Sequence, residues 1–189
     1  ITYDRTVYYF VVTVVDDNGQ LKATVTDGTL TPITSSLNAS FKNTINTATI
    51  DIDIQKEFTN NLGYTGMETE VFTFKVVETN SSWNAIGTAK EFNAYANGQV
   101  RFLNIFSDVG TYYYEITEHN DNKAGWTYSS AKYRVTVEVT ADPDGKLLAT
   151  ITSIVKEAST NAEEKATVSA DKTDAEVKFV NTYKPEKTK

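Results

Sequence analysis

Ile50-Asp51-Ile52-Asp53-Ile54-Gln55-Lys56 alternates apolar and polar side chains without a break over its first five residues. Successive side chains of a β-strand point to opposite faces, so Ile50, Ile52 and Ile54 share one side, and Lys56 continues it. The same period recurs outward in both directions, in Val7 to Val15, Ala48 to Ile54, Val71 to Val77, Tyr112 to Glu118, Tyr133 to Val139, Leu147 to Ile154 and Val177 to Tyr183. Each is rich in Val, Ile, Thr and Tyr, and reads as a strand. Asp16-Asp17-Asn18-Gly19 and Asp142-Pro143-Asp144-Gly145 separate pairs of runs and carry turn chemistry. Helical periodicity is weak; Ser82 to Phe92 is expected to hold one short helical turn. Glu157 to Lys172 is polar and rich in Ala and Thr, and is expected to be a long exposed loop. The fold class is all-β, an antiparallel immunoglobulin-like β-sandwich.

Composition narrows the function. The 189 residues include no Cys and a single His, which removes disulfides, thiolate metal sites and cysteine nucleophiles and leaves any catalytic triad dependent on His119. That residue sits beside Glu118 and so on the outer face. A net charge of −7 opposes binding to nucleic acid or an anionic membrane. No apolar run reaches the 18 or so residues of a membrane span, so no membrane insertion is expected. No cofactor or metal site is expected. The first residue is Ile1, as expected of a mature product or an excised fragment.

The chain repeats itself. Ile1-Thr2-Tyr3, Tyr8, Val12 and Val14 correspond to Trp126-Thr127-Tyr128, Tyr133, Val137 and Val139. Gly19 to Thr26 corresponds to Gly145 to Thr152, and Phe41-Lys42-Asn43-Thr44 to Phe179-Val180-Asn181-Thr182. Residues 1–49 therefore read as the C-terminal half of one module, 50–183 as a complete module, and 184–189 as a polar tail or linker. Leu37, Ala39, Phe41 and Asn43 form the inner row of the half module, which makes Asn43 the counterpart of Asn181.

Three polar residues continue inward-facing apolar rows. Lys56 follows Ile50, Ile52 and Ile54; Glu118 follows Tyr112, Tyr114 and Ile116; Asn181 follows Val177 and Phe179 and precedes Tyr183. A strand end emerging into solvent explains any one of them alone. It explains Asn181 poorly, because apolar residues flank it on both sides.

Gly110-Thr-Tyr-Tyr-Tyr-Glu-Ile-Thr-Glu118, Lys123-Ala-Gly-Trp-Thr-Tyr128 and Phe179-Val-Asn-Thr-Tyr183 resemble the isopeptide-forming domains of Gram-positive pilins, of the streptococcal T-antigen (FctA) type, with the broader Cna B-type fold behind them. The resemblance implies a side-chain amide between Lys56 and Asn181, promoted by Glu118 acting as proton shuttle and polarising the Asn carbonyl. Lys75 alternates out of phase with Phe72, Phe74 and Val76 and is set aside. The resemblance further implies a pilus shaft or stalk subunit on the outside of the cell, joined by a sortase to neighbouring pilin subunits. Lys172 stands roughly where that family places its junction lysine, although no pilin-type Pro-Lys motif surrounds it. Self-crosslinking is a single turnover, so the chain is not expected to be an enzyme. The rival reading is a ligand-binding adhesin domain on the same sandwich. Residues 1–49 hold no Glu, and Lys22 and Lys42 alternate away from the inner row, so Asn43 has no amine or acid within its own half module.

Overall fold

The computed structural model describes residues 3–27, 39–60, 63 and 65–184. Among these residues twelve strands form: β1 (Phe10–Asp17), β2 (Gln20–Asp27), β3 (Ala48–Thr59), β4 (Val71–Thr79), β5 (Lys90–Tyr95), β6 (Gln99–Phe106), β7 (Gly110–Glu118), β8 (Trp126–Thr127), β9 (Lys132–Ala141), β10 (Leu147–Glu157), β11 (Ala166–Val168) and β12 (Asp174–Tyr183). A single 3₁₀ turn, Met67–Thr69, is the only helical element among the described residues. No helix there is long and apolar enough to cross a membrane. The chain divides into two compact units, Ile1–Asn46 and Thr47–Lys189.

The second unit is a sandwich of two sheets, ordered β10-β9-β7-β4-β5 and β11-β12-β3-β6, with β8 added beside β12. Alternation along the strands builds the space between them. Ile50, Ile52 and Ile54 from β3, and Val177 and Phe179 from β12, meet Phe72, Phe74 and Val76 from β4, Ile116 from β7 and Tyr133, Val135 and Val137 from β9. The exterior alternates charged, as where Arg101 binds Asp53 at 2.9 Å and Lys75 faces Glu91. Among the described residues all strand pairings are antiparallel except one: β12 runs parallel to β3, with Phe179 opposite Lys56 and Asn181 opposite Phe58. The elements that open and close this unit are thus direct neighbours.

Two local expectations are corrected. Ser82 to Phe92 holds no helical turn; Asn80–Trp83 closes through a backbone bond of 2.9 Å, the Asn80 side chain accepts from Ser82 and Asn84, and β5 begins at Lys90. Glu157 to Lys172 is not simply an exposed loop. It contains β11, and Glu164 is only 2% exposed, because its carboxylate accepts the Val180 N–H at 3.0 Å and the Ser159 hydroxyl.

In the first unit β1 and β2 pair through a two-residue turn. Asn18 and Gly19 both have positive φ (55° and 85°), the conformation a twisted hairpin favours and Asn-Gly tolerates. The strand begins at Phe10, three residues later than the alternation from Val7 suggested. Val12 and Val14 are about half exposed, as is Phe41 at 59%, so among the described residues of this unit no sheet covers the row expected to face inward. Leu37 lies outside the described residues, as do Ile1, Thr2 and the tail from Pro185 onward.

Candidate functional site

Lys56, Glu118 and Asn181 converge on one point of the sandwich interior. Lys56 arrives from β3, Asn181 from the adjacent β12 and Glu118 from β7 in the facing sheet. Lys56 and Asn181 are fully buried, and the Glu118 side chain has no exposure either. None of them sits at a strand end that emerges into water.

One carboxylate oxygen organises the group. Glu118 Oε1 lies 3.5 Å from Lys56 Nζ and accepts a hydrogen bond from Asn181 Nδ2 at 2.9 Å. Lys56 Nζ also donates to the Glu57 carbonyl at 2.8 Å and sits 4.8 Å from the centre of the Phe72 ring. A charged ammonium held among aromatic and aliphatic side chains is poorly solvated. Burial accordingly lowers the Lys56 pKa to about 8, against the opposing pull of the Glu118 charge. Burial also raises Glu118, opposed by Lys56, by Asn181 and by the Ser129 N–H. Both shifts bring the neutral amine and neutral acid closer in energy to the ion pair.

Sequence reasoning missed Ser129. Its backbone N–H donates to Asn181 Oδ1 at 2.7 Å and to Glu118 Oε2 at 3.1 Å. An N–H needs an acceptor, so this contact fixes which way the Asn181 carboxamide faces: oxygen toward Ser129, nitrogen toward Glu118. In this arrangement Glu118 faces the carboxamide nitrogen, the atom that would leave, and the Ser129 N–H faces its oxygen. Nothing in a side-chain pattern reports a backbone donor.

The other candidates stand apart. Lys172 is exposed in the turn between β11 and β12, with φ of 60°. Asn43 is exposed, and its Oδ1 accepts the Asp4 N–H at 3.1 Å. Lys75 faces outward, and the His119 side chain is 46% exposed beside Asp121. Trp126 packs edge-on against Phe58 and Phe72, and Trp83 meets Tyr113 edge-on with the Arg134 guanidinium over its ring.

Residues 52–184 match FctA, the Spy0128-like isopeptide containing domain. The chain belongs to this family. The FctA match spans Lys56, Glu118 and Asn181, and leaves Asn43 outside it. Among solved structures, the chain is similar to the major pilin protein T3.2 of Streptococcus pyogenes, at 15% identity over 96% of this chain and 61% of that one, with a TM-score of 0.37. It is similar to the T-13 major pilin of the same species at 16% identity, over 71% and 52% of the two chains, with a TM-score of 0.34. A further S. pyogenes major pilin matches at 17% identity over 96% and 64%, with a TM-score of 0.28. The chain thus spans less than two thirds of the length of these pilins, and overlays this loose carry no argument about its site. No curated protein matches the chain.

Proposed function

We propose that the unit from Thr47 onward is a self-crosslinking shaft domain of a pilus backbone subunit, displayed on the outside of a Gram-positive cell and stabilised by an amide between Lys56 and Asn181. The observation that carries this reading is the burial of an amine, an acid and a carboxamide together in an apolar core, with one oxygen of the acid facing both nitrogens. A purely structural core gains little from three polar groups there; an apolar trio of similar size would serve stability as well.

The chemistry follows from the placement. The neutral Lys56 amine attacks Asn181 Cγ while the protonated Glu118 gives its proton to Nδ2; the Cγ–Nδ2 bond breaks, ammonia leaves, and Glu118 is reprotonated from Nζ. Folding supplies the proximity, and effective molarities of roughly 10⁵–10⁸ M make an unactivated amide reactive. Each chain reacts once, so this is self-modification and not turnover of a substrate. Intact-mass measurement tests it: the wild-type chain is expected one ammonia lighter than its sequence, and Glu118→Ala at full mass. A wild-type chain at full sequence mass removes the proposal.

By the same reading residues 1–49 are the C-terminal half of a preceding module, residues 50–183 a complete one and 184–189 a linker. Neighbouring pilin subunits are the partners, joined by a sortase, with Lys172 the exposed candidate for the junction. Peptide mapping of assembled fibres that finds another lysine at the junction overturns that assignment.

A further inference from the structure

The Lys56–Glu118–Asn181 chemistry develops negative charge on Asn181 Oδ1. When the amine adds to Cγ, the carbonyl electron pair moves onto Oδ1, and Glu118 is on the other side of the carboxamide. The group that meets Oδ1 is the Ser129 N–H, at 2.7 Å. Ser129 precedes β9, and its Oγ accepts the Ala131 N–H at 3.0 Å, a local turn that holds its own N–H toward the pocket.

The first unit repeats this arrangement independently. The internal repeat sets Asp4 opposite Ser129, Tyr8 opposite Tyr133, Ser40 opposite Lys178 and Asn43 opposite Asn181. The Asp4 N–H donates to Asn43 Oδ1 at 3.1 Å, and Asp4 Oδ1 accepts the Thr6 N–H at 2.8 Å, two residues on as in Ser129. The surrounding frame repeats too. Tyr8 donates to the Ser40 carbonyl and meets Phe41 edge-on at 5.2 Å; Tyr133 donates to the Lys178 carbonyl and meets Phe179 edge-on at 5.1 Å. Ser and Asp differ in charge and share only a short oxygen-bearing side chain. What both copies keep is the turn and the backbone N–H it presents to a carboxamide oxygen.

We propose that the Ser129 backbone N–H is the oxyanion donor of the crosslinking reaction, and that the Asp4 N–H is its counterpart at Asn43. The proposal rests on the reading of Lys56 and Asn181 as a self-formed crosslink. In the step itself the Nζ–Cγ bond forms as the C=O pair shifts to Oδ1, where the Ser129 N–H holds it. The pair returns as Cγ–Nδ2 breaks; the proton that leaves with ammonia comes from Glu118, which regains one from Nζ. The donor acts where charge develops and is already in place before reaction, which is the condition for a large effect.

The test replaces one atom. The full chain is made by semisynthesis with the α-hydroxy analogue of serine at residue 129, which turns the N–H into an ester oxygen and keeps the side chain. After refolding, ammonia loss is followed by mass and folding by near-ultraviolet circular dichroism. The folded ester chain is expected to crosslink about 100- to 1,000-fold more slowly than the all-amide chain, whereas Ser129→Ala, which retains the N–H, stays far closer to the native rate. An ester chain that folds and crosslinks at the native rate overturns the proposal. Should the ester chain not fold, a Lys56→Met chain, which cannot react, supplies the second measurement. A hydrogen-bond scalar coupling between the Ser129 amide nitrogen and Asn181 Cγ is expected there, and its absence from the folded protein overturns the assignment. An all-amide chain that never loses ammonia removes the crosslink reading itself, a different result from a native rate in the ester chain.

Discussion

Lys56 is the residue on which the site turns, because a buried amine must shed its proton to react. The reactive Lys56–Glu118 pair holds one proton. Adding a second, below the raised pKa of Glu118, leaves an ammonium; removing the last, above about 8, leaves no acid. The rate of ammonia loss after refolding is therefore expected to be bell-shaped in pH, falling on both sides of that window. A rate that rises steadily past pH 10 contradicts it. The same shifts set the stability of an uncrosslinked chain. In Asn181→Ala, Lys56 holds fewer protons folded than unfolded between about 8 and its ordinary 10.5, so stability is expected to rise with pH across that interval. Glu118 has the opposite sign: its raised folded pKa makes stability fall as pH climbs from 4.5 through that value. Denaturant melts across pH read both slopes. Strand alternation placed Lys56, Glu118 and Asn181 on inward rows, and only the resemblance to pilin domains singled them out as one reacting set. Ser129 was not legible, since its contribution is a main-chain N–H that any residue but proline would carry.

At the scale of elements, β12 depends on a segment the sequence presents as solvent-facing. Glu164 reaches from the stretch after β10 to the Val180 N–H, next to Asn181, in an environment 2% exposed. Removing the carboxylate leaves a buried donor unpaired, which typically costs about 1–3 kcal/mol. Glu164→Ala is expected to lower stability by that order in a chemical melt, and Glu164→Gln, which keeps an acceptor oxygen, by less. Equal losses for the two would show that the Val180 contact is not the cause. A polar, Ala- and Thr-rich stretch gives no sign of this, because the acid is buried by what packs over it and not by its neighbours in sequence. β6 escaped notice for a related reason. Leu103 and Ile105 on its outer face are as apolar as Phe102 and Phe106 on its inner one, and Asn104 interrupts the inner row to bond the Tyr114 hydroxyl at 2.9 Å. With both faces apolar, the period of two disappears.

For the whole molecule, an amide between residues 56 and 181 would close nearly all of the second unit into one loop. On the chain-entropy picture used for disulfides this stabilises by about 5 kcal/mol. Lys56→Met is expected to melt well below the wild type and to lose resistance to proteolysis, and melting at the wild-type temperature would show that no closed loop existed. Because β3 and β12 lie side by side, force applied to the two ends would pass through the crosslink, and single-molecule stretching should show no length gain from the strands between them. The first unit behaves differently. Asn43 is exposed, and Lys22 and Lys42 alternate away from its row, so peptide mapping is expected to find no bond from Asn43 to any lysine of residues 1–189. Finding one would refute the division of the chain near residue 50.

The alternation of side chains by itself determined the all-β class, the inner and outer faces of the main strands and the inward rows that Lys56, Glu118 and Asn181 continue. These are properties of consecutive residues, and period two expresses them directly. Only the tertiary structure decided that three separate rows end at the same place, that β12 lies parallel to β3, and that Glu118 meets the nitrogen of Asn181 while Ser129 meets its oxygen. Those relations span 63 positions between Glu118 and Asn181 and 52 between Ser129 and Asn181. They depend on which sheets stack and how their strands are ordered, and no local pattern encodes a distance across the core.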